Sequence, residues 1–79
     1  MGAKAYVLIS TVAEKTSSVV QELRKLSGVT AADLVSGPYD VVAVVQGRDA
    51  NVVDRIILND IRGVPGMNST LTCLVIEIP

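Results

Sequence analysis

Gly37-Pro38-Tyr39-Asp40-Val41-Val42-Ala43-Val44-Val45 carries the chain out of a turn and straight into a strand that is apolar on both faces. Glycine supplies backbone freedom and proline a preset φ, so the first three residues read as a turn, with Asp40 at the mouth of the strand. From Val41 onward successive side chains point to opposite sides: Val41, Ala43 and Val45 line one face, Val42 and Val44 the other. Such a strand belongs in the middle of a sheet and needs a cover on each side.

Outward from that stretch the pattern repeats. Upstream, Val29 to Val35 reads as a strand whose Thr30 and Asp33 suit an edge position. Before it, Ser18 and Gln21 form a capping-box pair that opens a helix, with a start as early as Thr16 also compatible. Val19, Leu23 and Leu26 share the apolar face of that helix, and Gly28 stops it. Ala5 to Thr11, β-branched and aromatic with no Gly or Pro, is the first strand. Downstream, Asp49 or Asn51 caps a second helix with Val53, Ile56, Ile57 and Ile61 on one face, ending near Gly63, and Asn68 to Ile78 is the last strand. The order is βαββαβ in two rhyming halves, Leu26-Ser27-Gly28-Val29 echoing Val64-Pro65-Gly66-Met67. This predicts an α+β, ferredoxin-like fold: a four-stranded antiparallel sheet in the order 4-1-3-2, with two helices on one face.

Residues 1–79 are expected to form a single domain. A chain this short buries only about 60% of the surface it exposes when unfolded. With a lone Cys73 and no histidine, neither a disulfide nor a metal cluster is available to staple it. The helices cover one face of the sheet, so the opposite face, carrying the Val42 or the Val41 row, predicts a homodimer packed sheet on sheet, about 10 Å apart. Cys73 is expected to pack as a small apolar side chain. No apolar run is long enough to span a bilayer and no signal peptide is apparent, so a cytoplasmic protein without membrane attachment is expected. Net charge is -1 and the seven basic residues are scattered, which argues against direct nucleic-acid binding.

Catalysis finds little support. Without histidine there is no ordinary activation of a serine or cysteine, no carboxylate pair suggests acid and base roles, and phosphate-loop and dinucleotide fingerprints are absent. The chain therefore reads as a non-enzyme that needs no cofactor and no metal. Binding chemistry is better represented. In this fold the end of the first strand, the turn before the third and the start of the fourth share one end of the sheet. Asp40, Thr70, Thr72 and the Ser10-Thr11 pair should rim one opening there. One strand separates Asp40 from Thr70, a gap of roughly 10 Å that suits a small zwitterion. Asp40 would accept from an ammonium, Thr70 and Thr72 offer hydroxyls, and turn amides near Gly37 would hold a carboxylate. Tyr39 is expected to be half-buried, its phenol beside the opening.

Gly37-Pro38-Tyr39-Asp40-Val41-Val42, followed by Val64-Pro65-Gly66-Met67 and Thr70-Leu71-Thr72, resembles the effector-binding domain of the leucine-responsive and asparagine regulators, the Lrp/AsnC family, also called the RAM domain. The resemblance covers nearly the whole chain. It implies a βαββαβ dimer assembled further into an octamer or other ring of dimers, with amino-acid effectors in clefts between dimers. By position it assigns effector contacts to Gly37 and Asp40 in the turn and to Thr70 and Thr72 on the last strand, with Ser36 and Tyr39 as flanking candidates. Regulators of the family carry a helix-turn-helix domain ahead of this module, whereas here the first strand begins at Ala5. The resemblance is thus to the stand-alone form, which implies effector sensing combined with co-assembly with a full-length Lrp/AsnC regulator in transcription control. A purely structural oligomerisation module and a small dimeric α+β-barrel enzyme are the competing readings.

Overall fold

The computed structural model describes residues 2–78; Met1 and Pro79, the ends of the expected domain, lie outside the described residues. Four strands, β1 (Ala3–Thr11), β2 (Val29–Leu34), β3 (Val41–Gly47) and β4 (Met67–Leu74), form one antiparallel sheet in the order β2-β3-β1-β4. Helix α1 (Thr16–Arg24) follows β1, and α2 (Ala50–Arg55) follows β3, running on into a π-helical segment (Ile56–Ile61). The expected ferredoxin-like α+β plan is the observed one, with β1 and β3 in the centre.

Side-chain alternation on the central strands divides the sheet cleanly. Ala5, Val7 and Ile9 of β1 and Val41, Ala43 and Val45 of β3 are fully buried against Val19 and Leu23 of α1 and Val53 and Ile61 of the second helical stretch. The opposite face carries Leu8 between Val42 and Leu71, and Tyr6 between Val44 and Cys73. Among the described residues no helix covers this side, and Tyr6 and Leu71 are 41% and 48% exposed. Cys73, expected to be packed, is exposed there, because no described element of the protomer lies over this face.

Several element ends depart from expectation, each for a local reason. Ser18 and Gln21 lie inside α1 rather than capping it: Lys15 is the N-cap, without a side-chain bond, and Ser18 Oγ donates back to the Lys15 carbonyl at 2.9 Å. Helix start is held instead by Thr16 Oγ1, 2.6 Å from Thr11 Oγ1 at the end of β1. Regular α1 ends at Arg24, where Lys25 N–H bonds the Glu22 carbonyl and Leu26 N–H the Leu23 carbonyl, the tightened turn that satisfies terminal carbonyls. Of the two cap candidates Asp49 serves, accepting from Val52 N–H at 3.0 Å. That bond, reinforced by the neighbouring Arg48, holds the Asp49 carboxyl below its usual value. With the folded value depressed, the cap's contribution is complete above the ordinary carboxylate range and is lost as pH falls through the lowered value.

The last strand is shorter than expected. β4 ends at Leu74, paired with Ala5, and Val75 N–H makes one more bond to the Lys4 carbonyl at 2.8 Å. Since β1 begins at Ala3, little of it remains to pair with residues beyond Val75, and Ile76 and Ile78 are 83% and 86% exposed. Among the described residues no helix is long and apolar enough to cross a membrane.

Candidate functional site

Between β2 and β3 the turn is closed by Val35 N–H donating to the Asp40 carbonyl at 2.9 Å, and Asp40 N–H in turn donates to the Ile9 carbonyl at 2.9 Å. This docks the turn onto the end of β1. Asp40 Oδ2 accepts from Thr11 N–H at 2.9 Å and lies 3.4 Å from Thr11 Oγ1, so the carboxylate terminates β1 and joins the Thr11–Thr16 hydroxyl pair that starts α1. Oδ1 makes no hydrogen bond to a described residue. Ser36, Gly37 and Pro38 are exposed at the tip, and Tyr39 and Asp40 are half-buried.

Thr70 stands opposite Ile9 and Thr72 opposite Val7, so both hydroxyls lie on the helix side of the sheet, at its β4 edge. There they line a cleft of about 320 Å³ together with Asp54, Ile57, Leu58 and Arg62. An adjoining depression of about 400 Å³ shares Arg62 and Thr70 and adds Met67, Asn68 and Ser69. Volumes of this order match small-molecule sites, which run from about 300 to 1,000 Å³.

Within one protomer the expected residues thus fall into two groups. Ser36, Gly37, Tyr39 and Asp40 belong to the turn beyond β1, while Thr70 and Thr72 belong to the cleft under the second helical stretch, and Asp40 does not line that cleft. The Ser10-Thr11 pair splits as well. Ser10 Oγ is 2.6 Å from Ser69 Oγ and accepts from Asn68 Nδ2 at 3.2 Å, whereas Thr11, past a bulge in the β1–β4 ladder, turns to Asp40. Strand alternation is the cause: neighbours in sequence emerge on opposite faces.

Two charged residues also line the cleft: Asp54, for which no role is expected from the sequence, and Arg62, which reads from the sequence, like Arg55, as a solvated surface charge. Their signal in the sequence is the spacing Asp54, Leu58, Arg62, one residue in four along the helix. A long α-helix would carry such a set progressively around its surface, because four residues exceed the 3.6 of one turn. Here Arg62 N–H bonds the Ile57 carbonyl five residues back, at 3.0 Å. The wider π turn offsets the drift and leaves all three residues on the β4 side. Insertions of this kind recur at functional sites.

Over 62 residues the chain is 40% identical to homocitrate synthase of Saccharolobus solfataricus; the match takes in 78% of this chain and 13% of that enzyme, so the chain spans a small part of the curated relative's length. Among solved structures, a protein from Thermus thermophilus superposes with a TM-score of 0.90 at 27% identity, covering 98% of this chain and 96% of that one. A hypothetical protein from Pyrococcus horikoshii gives 0.88 at 29% identity, covering 99% and 93%. The family model of the Lrp/AsnC ligand binding domain matches residues 4–79, from the start of β1 through β4 and beyond. With both motif turns, the strand order and this match running the length of the chain, the protein belongs to the Lrp/AsnC ligand binding domain family.

Proposed function

We propose that residues 1–79 act as one amino-acid-binding regulatory module whose site is completed between subunits. The observation that carries this reading is the separation of the polar residues into two half-sites, the Ser36–Asp40 turn and the Thr70–Thr72 cleft, on a protomer with an uncovered apolar sheet face. Sheet faces joined in a homodimer would give the small core its second cover. A ring of such dimers would bring the turn of one protomer to the cleft of another, where Asp40 Oδ1 meets the effector ammonium and Thr70 and Thr72 meet the opposite end. Gly37 amide and the Ser36 and Tyr39 side chains would complete the turn's share. The module works in the cytoplasm without membrane or direct DNA contact, and reaches transcription by co-assembly with a full-length Lrp/AsnC regulator.

One observation favours a second reading of the partner. The segment of homocitrate synthase that resembles this chain is a small fraction of that enzyme. A module of the same kind would then serve a catalytic chain, sensing an amino acid on its behalf, without being an enzyme itself.

Thermal-shift screening against the twenty common L-amino acids tests the reading, since a ligand specific to the native state raises apparent stability by mass action. Asp40→Asn then separates binding from folding. Asparagine keeps an oxygen to accept from Thr11 N–H, so the variant folds. It lacks the charge, so affinity for the best screening hit falls by about 1.5 to 3 kcal/mol, the range for hydrogen bonds to charged groups. Asp40→Ala also strips Thr11 N–H of its partner and is expected to lose about 1 to 3 kcal/mol of stability. Calorimetric titration of unsubstituted protein and Asp40→Asn with equal affinities would remove Asp40 from the site and leave it as the end-cap of β1.

A further inference from the structure

We infer that Arg62 is the carboxylate anchor of the effector, an assignment that rests on the amino-acid-binding reading above. Arg62 closes the second helical stretch, and it is the residue shared with Thr70 by the two depressions that flank β4. Its guanidinium makes no ion pair with a described residue, although Asp54 lines the same cleft. Among the described residues no acid occupies the cation of this cleft. A guanidinium presents a fork of donors that matches a carboxylate in two parallel bonds, and the Thr70 and Thr72 hydroxyls beside it supply further donors to the same oxygens.

The π turn gives the assignment a second support. Its wider winding brings Arg62 under Asp54 and Leu58 on the face toward β4. Ile57 and Leu58 add apolar lining between the charged ends. One carboxylate partner, two hydroxyls and an apolar wall describe a site for the carboxylate end of an α-amino acid, with the ammonium directed outward, where the turn of a neighbouring subunit would bring Asp40.

The probes are the twenty L-amino acids and, for each that binds, its α-carboxamide, titrated calorimetrically into unsubstituted protein, Arg62→Gln and Arg55→Gln. Arg55, at the end of α2, does not line the cleft, so its substitution removes the same net charge without touching the site. Arg62→Gln is expected to weaken the binding amino acid about ten- to hundredfold, the carboxamide to bind unsubstituted protein correspondingly poorly, and Arg55→Gln to bind as unsubstituted protein does. The carboxamide should be insensitive to Arg62→Gln. Equal affinity of unsubstituted protein and Arg62→Gln for the amino acid, with the amino acid bound, overturns the assignment to Arg62 alone. Failure of every amino acid to bind unsubstituted protein overturns the effector reading, and the assignment with it. Unchanged thermal melting of unliganded Arg62→Gln confirms that any lost affinity comes from the site and not from folding.

Discussion

Val42→Asp is expected to abolish self-association: sedimentation of the variant gives monomer or unfolded chain where the unsubstituted protein gives a dimer or larger assembly. Val42 lies opposite Leu8 on β1 and Asp33 on β2, at the centre of the face that no helix covers. In a sheet-to-sheet dimer a carboxylate at this position would be buried without a partner, with a penalty of several kcal/mol after relaxation. The protomer cannot easily absorb such a loss, because domains of this kind are stable by only about 5 to 15 kcal/mol. Gln21→Glu makes the control. Gln21 lies on α1, on the other side of the sheet, and is already polar and exposed, so its substitution leaves the assembly intact. A Val42→Asp variant with the oligomer size and stability of the unsubstituted protein would rule out pairing through this face.

Gly66→Ala is expected to destabilise the fold by about 2 to 5 kcal/mol, combining a left-handed backbone penalty of about 1 to 2 with an overpacking strain of about 1 to 3. Gly66 has φ +97°, and a Cβ placed there would lie 2.8 Å from Lys15 Cβ and 3.0 Å from Val19 Cγ2 at the start of α1. Its carbonyl accepts from Val12 N–H at 2.8 Å, so the turn is also tied to the chain leaving β1. Neither Lys15 Cβ nor the buried Val19 is a free chain end that could swing aside. Gly37→Ala separates the two causes. Gly37 has φ +155°, but an added Cβ meets no atom within 4 Å, so only the backbone term remains and the loss is smaller. Urea unfolding of both variants measures the difference; equal midpoints would show that the approach to α1 contributes nothing.

Much of this could be read before any coordinates. Val41 to Val45 is apolar at every position, which placed β3 in the middle of the sheet and implied an uncovered face; Val42 and Val44 are on that face. The helical faces of Val19 and Leu23 and of Val53, Ile57 and Ile61 were equally legible, since burial follows directly from apolar periodicity. Capping was legible at Asp49 and illegible at Ser18. A short polar side chain near a helix start satisfies the local pattern in either place, and the choice was made by Thr16, whose hydroxyl meets Thr11 from a strand that precedes it.

The amino-acid sequence by itself determined the fold class, the element order, the faces of the central strands and the two turns that identify the family, because each rests on local backbone preference or on short-period patterning of apolar residues. Tertiary structure alone decided the partners of the polar groups. Asp40 bonds to Thr11, 29 residues earlier, and Thr70 and Thr72 share a cleft with Asp54 and Arg62, which no local pattern connects. It also decided the π winding that turns Arg62 toward β4 and the early end of β4, where the paired strand runs out. Hydrogen bonds and charges act through distance, and distances between remote residues exist only once the sheet has assembled.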